Sequence, residues 1–407
     1  MKFTEGGIKT LRTVNEPSKN AALLLKGGFI DQLSAGVYTY LPLGIRVLHR
    51  IEDIIRDEMN RAGGQEILMP VLQPKENWLR TGRWDTLDVL YKFKSFYSKT
   101  ELALGPTHEE VVAPLAKKYI NSYKDLPLYL YQIQTKFRDE KRPKSGLLRG
   151  REFLMKDLYS FHTSEQDLDR YYELMASSYH NIFERCGLGG ITYYTFASGG
   201  SFSKYSHEFQ TECVTGEDTI YLCEKCKVAI NKEIIKEQKE CPECGSKKLK
   251  EIKAIEVGNI FKLGTKYSKP FELTFVDEND KPKEVVMGCY GIGLGRIMGA
   301  VAEIFNDEKG LVWPKSIAPF DIHLVNIGET SKEAAEVYEK LVSAGHDVLW
   351  DDRAESTGIK LGDADLLGIP VRIVVSPKTL AEGKIEIKER AKDKVELVKL
   401  SEFLKRK

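Results

Sequence analysis

The chain has 407 residues, 42% hydrophobic and 30% charged, the proportions of a soluble globular protein too long for one ordinary core. Its 61 basic and 60 acidic residues leave a net charge of +1, which excludes binding through bulk positive charge; any nucleic-acid surface must be local. No apolar run approaches the ~18 residues needed to span a bilayer, and residues 1–20 lack the apolar core of an export signal, so a cytoplasmic chain of two or three domains is expected.

In residues 35–213 amphipathic helices alternate with long strands. Residues 46–62 set Val47, Leu48, Ile51, Ile54, Ile55 and Met59 on one helical face, and Gly63-Gly64 stops that helix. Residues 65–73 read as a strand ending at Pro74. Thr107 and Glu110, three apart, fit a helix capping box that leaves Glu109 over. Residues 128–137 and 152–161 predict two strands joined by a basic, glycine-containing loop with Lys141, Arg142, Lys144, Arg149 and Arg151. Ser164 opens a helix carrying Leu168, Tyr171, Leu174, Met175, Tyr179, Ile182 and Phe183, and Gly187 caps it. Residues 221–249 are Lys/Glu-rich and short. A strand–glycine turn–helix unit follows at 284–305. From about Trp313-Pro314 strands (321–327, 347–350, 371–375) alternate with helices (332–344, 360–367), the rhythm of a small α/β domain with a mixed sheet.

Four of the seven cysteines form two C-x-x-C pairs, Cys223/Cys226 and Cys241/Cys244, fourteen residues apart. Without an export signal this reads as a metal site rather than a disulfide framework. The spacing resembles a zinc ribbon, four thiolates filling every position of a tetrahedral Zn2+, so the ion's role would be structural. Arg138 and Glu140 lie two apart at a strand end and share a face. The arginine can hold an anion bidentately and the carboxylate can accept from an amine; a solvated salt-bridge hairpin reads equally well. The glycines of 287–296 allow either close approach of backbone to a ligand or tight strand–helix packing, and match neither a P-loop nor a Rossmann fingerprint.

Taken together, these stretches resemble the class II aminoacyl-tRNA synthetases, and closely the bacterial-type prolyl-tRNA synthetase family. Residues 34–44 (SAGVYTYLPLG) with Met69-Pro70 resemble its motif 1, and 104–110 (LGPTHEE) its proline-recognition loop. Residues 131–140 with 151–162 (REFLMKDLYSFH) resemble motif 2. Residues 287–293 (MGCYGIG) with Arg296 resemble motif 3, and 351–370 the anticodon-binding domain. The match runs over about 1–215 and 255–407, in the family's order. It implies a catalytic α+β domain (1–220 and 251–314), an antiparallel sheet flanked by helices, interrupted by a zinc-ribbon-like insert (221–250). An α/β anticodon-binding domain (315–407) completes the chain.

The resemblance also implies ATP, Mg2+ with the ATP, L-proline and tRNA(Pro) as partners, and a homodimer through motif 1. Arg138 matches the arginine bridging the α-phosphate and the amino-acid carboxylate. Glu140 matches the carboxylate near the adenine amino group, and Phe153 the ring stacked on adenine. Arg151 joins the ATP set, and Arg296 matches the motif 3 arginine at the phosphates. Glu109 would face the proline ammonium with Thr107 beside it, His207 would line the proline pocket, and Arg353 and Lys360 would face the anticodon. The interval between His207 and motif 3 is too short for the large editing domain common in bacterial-type members, and Gly199 to Tyr205 is longer than the usual glycine-serine segment. The alternatives are a threonyl, glycyl or histidyl enzyme of the same layout, or an inactive synthetase-like RNA-binding protein. The Thr-His-Glu loop argues against the first, and the presence of Arg138, Glu140, Phe153 and Arg296 together argues against the second.

Overall fold

The computed structural model describes residues 1–406 other than Lys144, Ser201 and Ser203. Its longest early element is the helix Pro42–Arg61. It starts before residue 46 because proline at the first helical position loses no hydrogen bond. Val47, Leu48, Ile51, Ile54, Ile55 and Met59 are all buried on its inner face. The strand expected over 65–73 is two pieces. Gln65–Glu66 pairs parallel with Leu128–Phe137, whereas Leu72–Pro74 joins a separate sheet with Glu101–Leu104 and Lys92–Lys94. Pro70, with no N–H to give a ladder, lies between them.

The core of the catalytic part is a nine-stranded sheet. Its order is Tyr205–Glu212, Thr192–Ser198, Ala229–Asn231, Asp218–Cys223, Leu249–Gly264, Val286–Gly293, Glu152–His162, Leu128–Phe137, Gln65–Glu66. All neighbours are antiparallel except the pairs Gln65–Glu66 with Leu128–Phe137 and Ala229–Asn231 with Thr192–Ser198. Alternation along the strands divides the side chains between two faces. Leu158, Ile260, Tyr290 and Ile292 pack under the helices Pro42–Arg61, Glu165–Arg185 and Leu294–Ile304. Tyr159, Phe161, Met287 and Cys289 point the other way, against the helix Glu109–Ala116 and the rings of Tyr267, Phe271 and Phe275. Ser164 caps Glu165–Arg185 by accepting from the Asp167 N–H. Leu174, expected on the buried face, is exposed.

One irregularity matters for the site. Tyr205–Glu212 pairs with Leu249–Gly264, and the register shifts between Phe209 and Gln210: Glu208 faces Asn259 and Gln210 faces Glu256. The extra residue puts Glu256 and Asn259, three apart, on the same face as Glu208 and Gln210, two apart.

The strands flanking the cysteine pairs belong to this sheet: Ala229–Asn231 lies between Asp218–Cys223 and Thr192–Ser198, with all three of its residues buried. The C-terminal part has its own five-stranded sheet, in the order Val348–Asp351, Ile322–Asn326, Val371–Val375, Ile385–Glu389, Val395–Val398. The first three are parallel and the last two antiparallel, a mixed sheet as expected; the closing hairpin was not foreseen. Charge pairs tie the two parts together: Arg390 with Asp307 at 2.6 Å, Arg50 with Asp347 at 3.1 Å, and Arg46 with Asp347. Among the described residues no helix is long and apolar enough to cross a membrane.

Candidate active site

On the sheet face away from the three helices lies a cavity of about 180 Å3, bounded by Arg138, Glu140, Phe153, Asp157, Glu256 and Arg296, with Thr107 and Cys289 at its inner end. Strand register puts these groups there. Phe153, Met155 and Asp157 alternate along Glu152–His162, and Met155 and Asp157 sit opposite Gly293 and Gly291. Arg138 and Glu140 follow the end of Leu128–Phe137, and both reach the cavity, as their spacing suggested.

The two arginines differ in how they are held. Arg296, in the first turn of Leu294–Ile304, donates to the carbonyls of Leu148 and Glu256 (2.9 and 3.0 Å) and pairs with the Glu256 carboxylate at 3.1 Å. The Arg138 guanidinium lies 5.3 Å from the Phe153 ring centroid and has no carboxylate partner among the described residues. Burial and the neighbouring Arg296 charge lower its affinity for its proton. A half-buried guanidinium with no carboxylate partner among the described residues, facing a second guanidinium, makes an anion site. Glu140 accepts from Arg149 through Oε2 at 3.0 Å, and no other described side chain bonds Oε1.

At the inner end is a charge cluster. Glu109 and Glu110 are both 0% exposed, and the one guanidinium of Arg83 serves both, at 3.3 and 3.0 Å. The Glu109 carboxylate accepts from the Thr107 hydroxyl at 2.6 Å and from the Cys289 thiol at 3.4 Å. When both carboxylates are ionised, the single Arg83 cation leaves the cluster one negative charge in excess. Burial, with Glu109 beside it, pushes the Glu110 carboxyl up to about 7 in spite of Arg83. The capping box expected of Thr107 and Glu110 does not form: His108 is the N-cap, and both side chains are engaged in this cluster. Behind it, Lys136 pairs with Asp157 at 2.8 Å and contacts His108 Nδ1 at 3.0 Å. Burial and the Lys136 charge depress His108 to about 4, so it is neutral.

Both readings of the 287–296 glycines hold, at different positions. A Cβ on Gly288 would fall 2.5 Å from the Tyr290 hydroxyl and one on Gly295 2.4 Å from that of Tyr40, which is packing. At Gly291 and Gly293, which line the cavity, nothing stands closer than 3.4 Å, leaving backbone open to a ligand.

Two residues expected at this site, His207 and Arg151, do not line the cavity, and the two expected to face the anticodon, Arg353 and Lys360, are engaged within the C-terminal part. His207 is on the opposite face from Glu208: it pairs with Ile260, hydrogen-bonds Tyr172 at 2.8 Å and stacks on Tyr194. Arg151 donates to the Glu140 carbonyl at 3.1 Å and does not line the cavity. Arg353 is clamped by Asp351 and Asp363 (2.7 and 2.9 Å) with Phe3 over it. Lys360 is buried, donating to the carbonyls of Asn326 and Asp351. Of the basic loop, Lys144 lies outside the described residues, as do Ser201 and Ser203 of the glycine-serine segment, whose Phe202 lines the cavity. Arg83, Asp157 and Glu256 were not singled out from sequence; their partners are distant in the chain.

The four cysteines converge, with sulfurs all within 4.8 Å of one another. The two turns are copies. In each, the residue after the second cysteine is left-handed (Lys227, φ 59°; Gly245, φ 68°) and donates to the first cysteine's carbonyl, at 2.8 and 2.9 Å. The first cysteine's N–H donates five residues ahead, at 2.9 Å in both. Zn–S bonds of about 2.3 Å place tetrahedral sulfurs about 3.8 Å apart, and Cys223 and Cys244 are 3.8 Å apart. The group fits a thiolate-bound metal ion.

Comparison with known proteins agrees with this geometry. The tRNA synthetase class II core domain (G, H, P, S and T) matches residues 91–305, and the anticodon binding domain matches 317–406. A proline--tRNA ligase from Wolbachia sp. subsp. Brugia malayi is 41% identical over 417 residues, covering 97% of each chain. One from Geobacillus sp. (strain WCH70) is 37% identical and covers 96% of each, over an alignment of 548 residues; it carries residues this chain lacks. The crystal structure of prolyl-tRNA synthetase from Cryptosporidium parvum, complexed with halofuginone and AMPPNP, superposes with a TM-score of 0.77 at 19% identity. It covers 95% of this chain and 75% of that one, a likeness of fold.

Proposed function

The chain belongs to the prolyl-tRNA synthetases, and from that membership we propose that the cavity activates proline with ATP before its transfer to tRNA(Pro). The carrying observation is one cavity with an unpaired guanidinium, Arg138, between a cation-poor acidic cluster and a second arginine. A proline carboxylate oxygen attacks the ATP α-phosphorus, the bond to the pyrophosphate oxygen breaks, and prolyl-adenylate and pyrophosphate result. Arg138 bridges the two reacting anions and stabilises charge as it builds on the α-phosphate. Arg296 holds the phosphates; Phe153 stacks on adenine, and Glu140 Oε1 accepts from its amino group. The proline ammonium supplies the missing positive charge at Glu109, with Thr107 fixing that carboxylate. No side chain is a covalent nucleophile; positioning and charge compensation supply the rate.

Mg2+ accompanying ATP would suit the hard oxygen donors of Asp218 and Glu256 beside Arg296, where it would neutralise phosphate charge. The four cysteines hold a structural Zn2+, and the insert's exposed Lys225, Lys227, Lys247 and Lys248 face the tRNA acceptor arm. Residues 1–314, with the insert 221–250, form the catalytic unit and 315–407 the anticodon-binding unit. The protein works in the cytoplasm as a homodimer. Charging of tRNA(Pro) with labelled proline, and not with threonine, glycine or histidine, tests the assignment; charging with one of those three overturns it. Metal analysis finding no zinc under reducing conditions removes the ribbon, and a solution mass of a single 46.2 kDa chain removes the dimer.

A further inference from the structure

The cysteine insert and the ATP arginine are joined by a continuous set of hydrogen bonds. Asn231 ends the strand that leaves the first cysteine turn. Its amide works in two directions. The carbonyl oxygen accepts from the Glu233 N–H at 3.1 Å, fixing the chain that leads to the second cysteine turn, and the NH2 donates to Glu208 Oε2 at 2.9 Å. Glu208 is 8% exposed and, among the described residues, has no cationic partner and is held by amide donors alone: Asn231, Gln210 at 2.8 Å and Asn259 at 3.4 Å. The same Asn259 NH2 donates to Glu256 Oε1 at 3.2 Å, and Glu256 Oε2 pairs with Arg296. The register shift at Phe209/Gln210 is what turns Glu256 and Asn259 toward Glu208 together.

We propose that Asn231 and Glu208 are positioning residues for ATP, fixing Glu256 and Arg296 through Asn259, so that the insert sets the geometry of the phosphate site. The inference rests on the reading of Arg296 as a phosphate ligand. Burial and the Glu256 charge push the Glu208 carboxyl up to about 8, against the pull of Gln210 and Asn231. The cysteine spacing alone suggests only a structural role for the ion. The insert's strands lie in the catalytic sheet, and the Asn231 contact gives that placement a chemical effect.

The test is proline-dependent ATP–pyrophosphate exchange on the full-length protein, with separate KM values for ATP and proline. Asn231→Asp keeps the acceptor for Glu233 but sets a carboxylate against Glu208. It should raise KM for ATP roughly tenfold, the scale of one lost hydrogen bond, with KM for proline within about twofold and metal content unchanged. Asn231→Ala should shift KM for ATP in the same direction, and Lys232→Ala, an exposed neighbour, should not. An unchanged KM for ATP in Asn231→Asp overturns the proposal, as does an equal rise in both KM values with a lowered melting temperature. Arg296→Lys separates the two readings. If it raises KM for ATP while Asn231→Asp does not, the coupling alone is refuted; if it leaves KM for ATP unchanged, the phosphate assignment falls and the coupling with it.

Discussion

Replacing Arg138 with alanine should remove catalysis and spare the fold, and the structure gives the reason for both halves. The guanidinium has no carboxylate partner among the described residues, so its removal leaves no buried anion uncompensated, and the like charge of Arg296 beside it is relieved. What disappears is contact with the Phe153 ring at 5.3 Å, worth about 1 kcal/mol or less at a partly open site. The transition state loses the one group able to meet both reacting anions. Losses of that kind run to about 3–4 kcal/mol, a fall of roughly 100- to 1000-fold in kcat/KM. Pyrophosphate exchange measures the first effect and thermal unfolding the second. A variant with near-normal exchange and a depressed melting temperature would refute the reasoning, because it would make Arg138 a structural residue.

Arg83→Ala should behave in the opposite way. It strands Glu109 and Glu110 together in the interior, at a cost of about 3–5 kcal/mol, so urea unfolding should show a large loss of stability; a change below about 1 kcal/mol would contradict the shared ion pair. Lys156 is fully buried, with no carboxylate partner among the described residues, donating to the Tyr179 hydroxyl and the Tyr290 carbonyl, and burial lowers it to about 7. Its folded pKa is below its unfolded one, so the unfolded chain binds the extra proton between about pH 7 and 10.5. This group's contribution to stability should therefore rise with pH through that window, and Lys156→Met should flatten the rise; an identical pH profile in the two proteins would count against it. Finally, a proline pocket cannot strongly reject the smaller alanine, since a lost methylene is worth about 1–3 kcal/mol. With only the cysteine insert where the family resemblance implies an editing domain in longer members, the enzyme should form alanyl-tRNA(Pro) and leave it intact; rapid enzyme-dependent deacylation of the preformed compound would show otherwise.

What could be read from the sequence follows from where the determinants lie. Arg138 and Glu140 just past one long strand, Phe153 on the next, and Arg296 in a strand–turn–helix unit belong to segments whose local patterns are strong, and the fold brings all four to one cavity. The cysteine pairs announced themselves by spacing. Arg83 could not be read this way: its meaning comes from Glu109 and Glu110, more than twenty residues on, and from the rings of Trp78, Phe202 and Tyr267 around it. His207 turned on strand parity, which puts its side chain on the helix face and Glu208 on the cavity face. The register shift that gathers Glu208, Glu256 and Asn259 leaves no mark in composition or period, and Arg353 and Lys360 look like free cations until Asp351 and Asp363 fold against them.

The most direct test of the central claim is amino-acid-dependent ATP–pyrophosphate exchange by the purified protein across the full set of amino acids, without tRNA. The account predicts that proline gives the highest kcat/KM, that alanine and cysteine give weak but measurable exchange, and that threonine, glycine and histidine remain near background. Exchange driven best by threonine, glycine or histidine, or no exchange with any amino acid from well-folded protein, would contradict it.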